Sequence, residues 1–236
     1  ALIRAGVWLC NRWAETWQYV VPAAPGELLY VAAFDDFEDE WEQSGGRNAA
    51  QITEGVMQIE VGEVSNLMFA PAAPIFSDFD LHAEAQAVDG PENNGFGLVF
   101  RQQDPNNLYY FLISSNGWYQ VIRVIDGEER ELSDWVSSEV INQGLNAPNT
   151  LRVIGQGDTF AFYINGERVD LCIPDKPDAV STFSGGECFE GTMRDTLVDE
   201  TFAAGHLGVV AITESRQPGV VVEFDHFTVT GPEDEL

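Results

Sequence analysis

Between positions 101 and 135 the chain gathers aromatic rings and hydrogen-bonding side chains: Arg101, Tyr110, Trp118, Tyr119, Gln120, Arg123 and Trp135. Aromatic rings stack on the apolar faces of pyranoses, while amides and guanidinium groups bond the hydroxyls. A sheet face presenting Arg101, Tyr110, Trp118, Gln120, Arg123 and Trp135 together would therefore bind a glycan. Alternation puts Gly97, Val99 and Arg101 on the face opposite Phe96, Leu98 and Phe100, so Arg101 is expected to line a cleft. The competing expectation is that Tyr109, Tyr110, Phe111 and Trp118 serve core or hairpin packing, with Arg101 paired to a surface carboxylate.

Other chemistries leave weaker marks. The histidines His82, His206 and His226 are scattered without zinc-type spacing. No Gly-x-Ser-x-Gly elbow is present. Cys172 and Cys188 flank a Pro-, Asp-, Ser- and Gly-rich stretch. A disulfide between them would close that loop and add roughly 3 kcal/mol by chain entropy; the alternative is two reduced thiols. Cys10 is left over, either a buried thiol or a bridge to another chain.

The 236 residues carry 39 Asp plus Glu against 11 Lys plus Arg, a formal net charge of −28. This balance excludes phosphate-backbone binding and docking on anionic headgroups. No apolar run approaches the roughly 20 residues of a membrane span. The hydrophobic fraction of 44% is ample for a packed core. Ala1 opens the chain instead of Met, which fits either a cleaved leader or a crop of a longer chain. A secreted or cell-surface location is expected.

The elements that must hold these residues are strands. LLYVAAF, GVMQIEVG, SDFDLHAEAQAV, NGFGLVFRQ, NLYYFLISS, GWYQVIRVIDG, NTLRVIGQG, DTFAFYINGERV, GHLGVVAIT and GVVVEFDHFTVT are short runs, many alternating with period two. Asn116-Gly117, Asp126-Gly127 and Asn165-Gly166 are hairpin signals. The pattern reads as an all-β sandwich or jelly roll of two antiparallel sheets. Residues 1–27 form a separate segment for packing or assembly, 28–230 the sandwich domain and 231–236 an acidic tail. In the first segment Leu9, Trp13, Trp17 and Val20 fall near helical spacing, although VWLC and WQYVV also read as strands. Trp8, Trp13 and Trp17 are its candidate contacts with a neighbouring copy, making a homo-oligomer possible.

The order FDDFED with Trp41, SDFDL, GFGLVFRQQDPNNLYYFLISSNGWYQVIRV, NTLRVIGQGDTFAFYINGERV, GHLGVVAIT and VVEFDHFTV resembles the laminin-G-like or concanavalin-like jelly rolls. Its nearest likeness is to the bacterial 3-keto-disaccharide-hydrolase-like domain, related to family 16 glycoside hydrolases. The resemblance spans about Leu28 to Val229 and implies one concave face, which in relatives often binds glycans. Retaining relatives place catalytic carboxylates on one strand as Glu-x-Asp-x-x-Glu. The nearest match here, Glu223-Phe224-Asp225-His226-Phe227-Thr228, ends in Thr228, so a non-catalytic module is expected, and a keto-sugar hydrolase only as an alternative. The resemblance also makes the first and last strands neighbours. Asp35, Asp36 and Asp225 would then be placed to clamp a structural Ca²⁺. The function expected is glycan binding or adhesion; the alternative is a structural subunit of an extracellular filament or surface layer, built through residues 1–27.

Overall fold

A computed structural model describes residues 7–11, 16–34, 40–176, 179–213, 219–233 and 236, with side chains from residue 20 onward. The hairpin β1 (Val7–Asn11) and β2 (Thr16–Val20) comes first, with Cys10 opposite Trp17 in register. The helical reading of this segment is corrected: Val, Thr, Trp and Tyr dominate both runs, and β-branched and aromatic residues favour the extended chain. There follow β3 (Leu28–Ala32), β4 (Asn48–Thr53), β5 (Val56–Val61), β6 (Leu67–Phe76), β7 (Phe79–Asp89), β8 (Gly95–Asp104) and β9 (Asn107–Ser114). Next are β10 (Trp118–Ile125), β11 (Glu128–Ser137), β12 (Asn149–Gln156), β13 (Thr159–Ile164) and β14 (Glu167–Arg168). An insertion holds β15 (Leu171–Pro174), β16 (Thr182–Ser184), β17 (Glu187–Phe189), β18 (Gly191–Arg194) and β19 (Leu197–Val198). The chain closes with β20 (Gly205–Ile212) and β21 (Val220–Thr230).

These strands build two antiparallel sheets. One is six-stranded, in the order β11-β10-β9-β8-β20-β6. The other has nine strands, along the path β14-β13-β12-β7-β21-β5-β4, with β19 on β13 and β3 on β21. β3 and β21 are the first and last strands of the sandwich, and they pair with Ala32 opposite Phe227. Alternation in β8 and β9 sends Phe96, Leu98, Phe100, Tyr109, Phe111 and Ile113 inward, against Leu81, Ala83, Ala85, Val153 and Phe162 of the facing sheet. Phe100 stacks on Tyr109 with ring centroids 5.1 Å apart. Each such side chain contributes about 1.5–3 kcal/mol of burial, so this layer dominates stability.

The opposite face of the six-stranded sheet is also apolar. Val99, Leu108, Tyr110, Leu112, Ile122, Val124 and Val210 form a second buried cluster, with Phe69, Trp135 and Ile212 packed on it. The turns follow their chemistry: Asp126-Gly127 and Asn165-Gly166 both take positive φ at both positions, as mirror-image hairpin turns need.

In the insertion Cys172 and Cys188 are joined by a disulfide across a sequence separation of 16. Cys172 is fully buried in the main core. Its N–H donates to Ser133 Oγ of β11 at 3.0 Å, which ties the insertion to the sheet edge. At the other edge Val21 N donates to Ile75 O at 2.8 Å, bringing the end of the N-terminal hairpin against β6.

Candidate functional site

Arg101 does not share a face with Gly97 and Val99, which corrects the alternation argument. It takes φ +53 inside an irregularity of the β8–β9 ladder between Phe100 and Asp104. A β-bulge adds a residue and re-aims the side chain that follows. Arg101 therefore turns inward after Phe100 and becomes fully buried. Its Nη1 donates to Phe202 O at 2.7 Å and its Nη2 to Gly157 O at 2.9 Å. The guanidinium also lies 5.3 Å from the centroid of Phe160 and 5.8 Å from that of Phe79. Burial lowers its pKa to about 10, against the opposing pull of Asp78. The bulge needs Gly205 alongside, because a Cβ there would sit 2.3 Å from the Arg101 carbonyl carbon. Arg101 is thus a clamp between loops and is closed to any ligand.

Arg123 is likewise occupied. Its Nη1 is 2.5 Å from Asp199 Oδ2 and donates to Thr201 Oγ1 at 2.9 Å. Tyr109 donates to the other Asp199 oxygen at 2.5 Å. Burial works to raise the Asp199 pKa, but the hydrogen bonds from Thr201 and Tyr109 and the charge of Arg123 outweigh it and hold it low. The network pins the β19–β20 connection to the sheet. Tyr110 is buried on the outer face, and its hydroxyl donates to Glu129 Oε1 at 2.5 Å.

The remaining sequence candidates come together on β10 and β11. Pairing of β10 with β9 is unbroken, so Trp118, Gln120, Ile122 and Val124 share the outer face. Trp135 of β11 packs on the same apolar cluster. Both tryptophans are half-buried. Gln120 is only 3% exposed, and its Oε1 has no hydrogen-bond partner. Two indoles beside an unsatisfied carbonyl oxygen match the stacking-plus-acceptor chemistry of sugar recognition.

Along the same two strands the face becomes acidic. Glu129 and Glu131 stand opposite Val124 and Ile122 in register. With Ile122, Arg130, Ala179 and Val180 they line a concavity of about 520 Å³ walled by the insertion. Burial, then the charges of Asp134 and Glu129, raise the pKa of Glu131. Glu129, Glu131 and Asp134 repeat the i, i+2, i+5 spacing sought in vain elsewhere. They went unnoticed because β11 is a polar edge strand with weak alternation. Two of them already serve structure: Glu129 accepts from Tyr110, and Asp134 accepts from Trp135 N at 2.7 Å and Phe183 N at 2.8 Å.

Glu223 and Asp225 lie on β21, on the nine-stranded sheet. The strand runs mid-sheet between β7 and β5. Glu223 Oε2 accepts from Gln86 Nε2 at 3.1 Å, while Asp225 Oδ1 accepts from His226 N at 2.6 Å. Asp35 and Asp36 lie outside the described residues, as does Trp13; Trp8 and Trp17 are placed only as strand positions. Among the described residues no group of three or more His, Cys, Asp or Glu gathers to hold a metal. Among the described residues no helix is long and apolar enough to cross a membrane.

No protein-family model matches this chain, and no curated protein matches it. Solved structures do. A carbohydrate-binding module, CBM66, from Bacillus subtilis matches at TM-score 0.56 and 16% identity, covering 81% of this chain and 96% of its own. A Bacillus subtilis protein of unknown function with a galectin-like fold matches at TM-score 0.58 and 12% identity, over 88% of this chain and 97% of its own. A Bacillus licheniformis β-glucanase matches at TM-score 0.52 and 9% identity, over 85% and 97%. What these proteins share with the chain at such identities is the fold, a concanavalin-like jelly roll of two antiparallel sheets.

Proposed function

We propose that the chain is a non-catalytic, secreted or cell-surface module that binds a glycan along the outer face of β10 and β11. The observation that carries this reading is the set Trp118, Gln120 and Trp135: half-buried indoles flanking a carbonyl oxygen without a partner. A sugar ring stacks on an indole while one hydroxyl donates to Gln120 Oε1. Glu129 and Glu131 accept from further hydroxyls, and the insertion forms the side wall. The carbohydrate-binding module among the structural neighbours supports the same ligand class. The test is affinity electrophoresis in gels containing neutral plant, fungal and bacterial polysaccharides. At least one polymer should retard the protein, and Trp118→Ala and Trp135→Ala should each weaken it by about tenfold, the loss of one good stacking contact. Retardation that both variants leave unchanged would sink the reading.

A second reading, a subunit of an extracellular assembly, draws on the N-terminal hairpin. Val20 is buried and Val21 is bonded to β6, the last strand of its sheet, so the hairpin can continue onto a neighbour by strand addition. Light scattering separates the two, best done with and without calcium because Asp35, Asp36 and Asp225 are retained as a proposed cation clamp. A multimer that deletion of residues 1–19 reduces to one chain mass supports assembly. A monomer in both conditions removes it.

A further inference from the structure

A second concavity lies at the far edge of the same sheet. Residues Glu40–Glu42 run antiparallel along β6: Trp41 bridges Ala72, Ala73 N donates to Glu40 O at 2.7 Å and Glu42 N donates to Pro71 O at 3.3 Å. β20 separates β6 from β8, and His206 of β20 pairs with Gln102 of β8. Between the Glu40–Glu42 segment and the β8–β9 turn is a cavity of about 380 Å³, lined by Glu40, Trp41, Glu42, Gln102, Asp104 and His206 among others. Small-molecule sites occupy roughly 300–1,000 Å³.

Two of its lining residues each carry a buried polar atom without a hydrogen-bond partner. Gln102 is 3% exposed and Trp41 4%, yet Gln102 Oε1 and Trp41 Nε1 make no hydrogen bond. Leaving such a group unsatisfied costs about 1–3 kcal/mol. Phe34 and Phe227 pack on Trp41 in T-shaped geometry, at centroid distances of 5.0 and 4.9 Å. One orphan is an acceptor and the other a donor. A hydroxyl answers both, because it donates once and accepts twice. An ammonium answers only Gln102, and a carboxylate or phosphate only Trp41. Glu40, Glu42 and Asp104 line the cavity and no Lys or Arg does, so an anion is repelled. His206 Nδ1 lies 3.1 Å from Ala72 O; donating there leaves Nε2 of the neutral ring as a further acceptor for a hydroxyl.

We infer that this cavity binds an uncharged sugar residue, through hydroxyls paired with Gln102 and Trp41. The inference rests on the glycan reading above for the kind of molecule that brings such hydroxyls. It adds a second place on the sheet and a selection against acidic sugars.

The experiment is calorimetric titration of the whole chain with methyl glycosides of neutral hexoses and pentoses, and with the matching uronates. A neutral glycoside should bind, and its uronate should bind at least about tenfold more weakly. Gln102→Leu keeps the volume and Trp41→Phe keeps the aromatic packing, and each should weaken the neutral glycoside about tenfold or more. Thermal midpoints of both variants are taken alongside, so either folded variant decides the matter. The inference is overturned by equal affinity in Gln102→Leu or Trp41→Phe, by uronates binding as well as neutral glycosides, or by no glycoside binding below about 10 mM. Polysaccharide binding lost in Trp118→Ala but kept in Gln102→Leu removes the cavity and retains the β10–β11 strip. The reverse pattern removes the strip and retains the cavity.

Discussion

A guanidinium enclosed by backbone carbonyls can be replaced only by a group that donates to both of them. Arg101 bonds Phe202 O and Gly157 O, and lies near two aromatic rings. Arg101→Met should therefore cost about 3 kcal/mol, since it strands two acceptors of charge-assisted bonds. Arg101→Lys should recover only part, because an ammonium lacks the planar fork. Urea unfolding of the three proteins measures this; a change under about 0.5 kcal/mol for Arg101→Met would mean that water replaces the guanidinium without loss. Glycan binding should survive in whatever fraction of the variant stays folded. This separates Arg101 from Trp118 and Trp135, whose loss should weaken binding while leaving stability nearly intact. The alternation argument failed at Arg101 for one torsional reason: a positive φ at a non-glycine residue cannot be read from side-chain period.

The insertion between β14 and β20 depends on its disulfide. Its strands have two to four residues each, and the bridge anchors Cys188 to Cys172 in the main core. The chain-entropy contribution of a loop this size is about 3 kcal/mol. Reduction should lower the thermal midpoint and open the 172–188 loop to chymotrypsin at Phe183 or Glu-C at Glu187 before the rest of the sandwich yields. If proteolysis after reduction proceeds at the oxidised rate, the insertion holds by packing alone. Three of the strands missed in the sequence share one physical character. β4, β6 and β11 lie at the ends of the sheet paths. β6 contains Pro71 and Pro74, tolerated because an edge need not donate on both sides, and β11 is rich in Glu. Central strands β7, β8, β9, β10 and β21 are apolar on the buried face and were legible.

The chain as a whole is an acidic shell around an aromatic core, and its stability should depend on pH at both ends. Tyr109, Tyr110 and Tyr119 have pKa values raised chiefly by burial, with help from Asp199, Glu129 and Asp170 respectively. A group whose folded value is raised stabilises below its unfolded value and loses that contribution as pH climbs through the folded one. The thermal midpoint should thus fall as pH rises past the unfolded tyrosine value of about 10. Asp80 and Asp199 are shifted the other way. Burial opposes the shift at Asp80, but the hydrogen bonds from Arg152 and His82 prevail. Their stabilisation is present above the ordinary carboxylate value of 3.8 and is lost as pH falls below it. Calorimetry from pH 2 to 12 reads both limbs; a midpoint flat beyond pH 10 would show the tyrosines to be open to solvent. A net charge of −28 also stores repulsion that salt screens. Raising NaCl from about 10 mM to 0.5 M should increase the midpoint by several degrees. A decrease would mean that Arg152–Asp80 and Arg123–Asp199 outweigh the long-range repulsion.

The amino-acid order alone determined that the chain is an all-β protein of two antiparallel sheets, because period-two alternation and Asn-Gly or Asp-Gly turns are local and act over few residues. It also singled out Trp118, Gln120 and Trp135, although only the pairing of β10 with β11 brought them to one strip. The tertiary structure decided which polar groups are free. Arg101 was consumed by carbonyls 101 and 56 residues away, and Arg123 by a carboxylate 76 residues away. Trp41, Gln102 and His206 were brought to one cavity from three separated runs of the chain. Hydrogen-bond satisfaction is a property of the packed chain, where loops distant in sequence supply or withhold the partner, so no spacing of residues announces it.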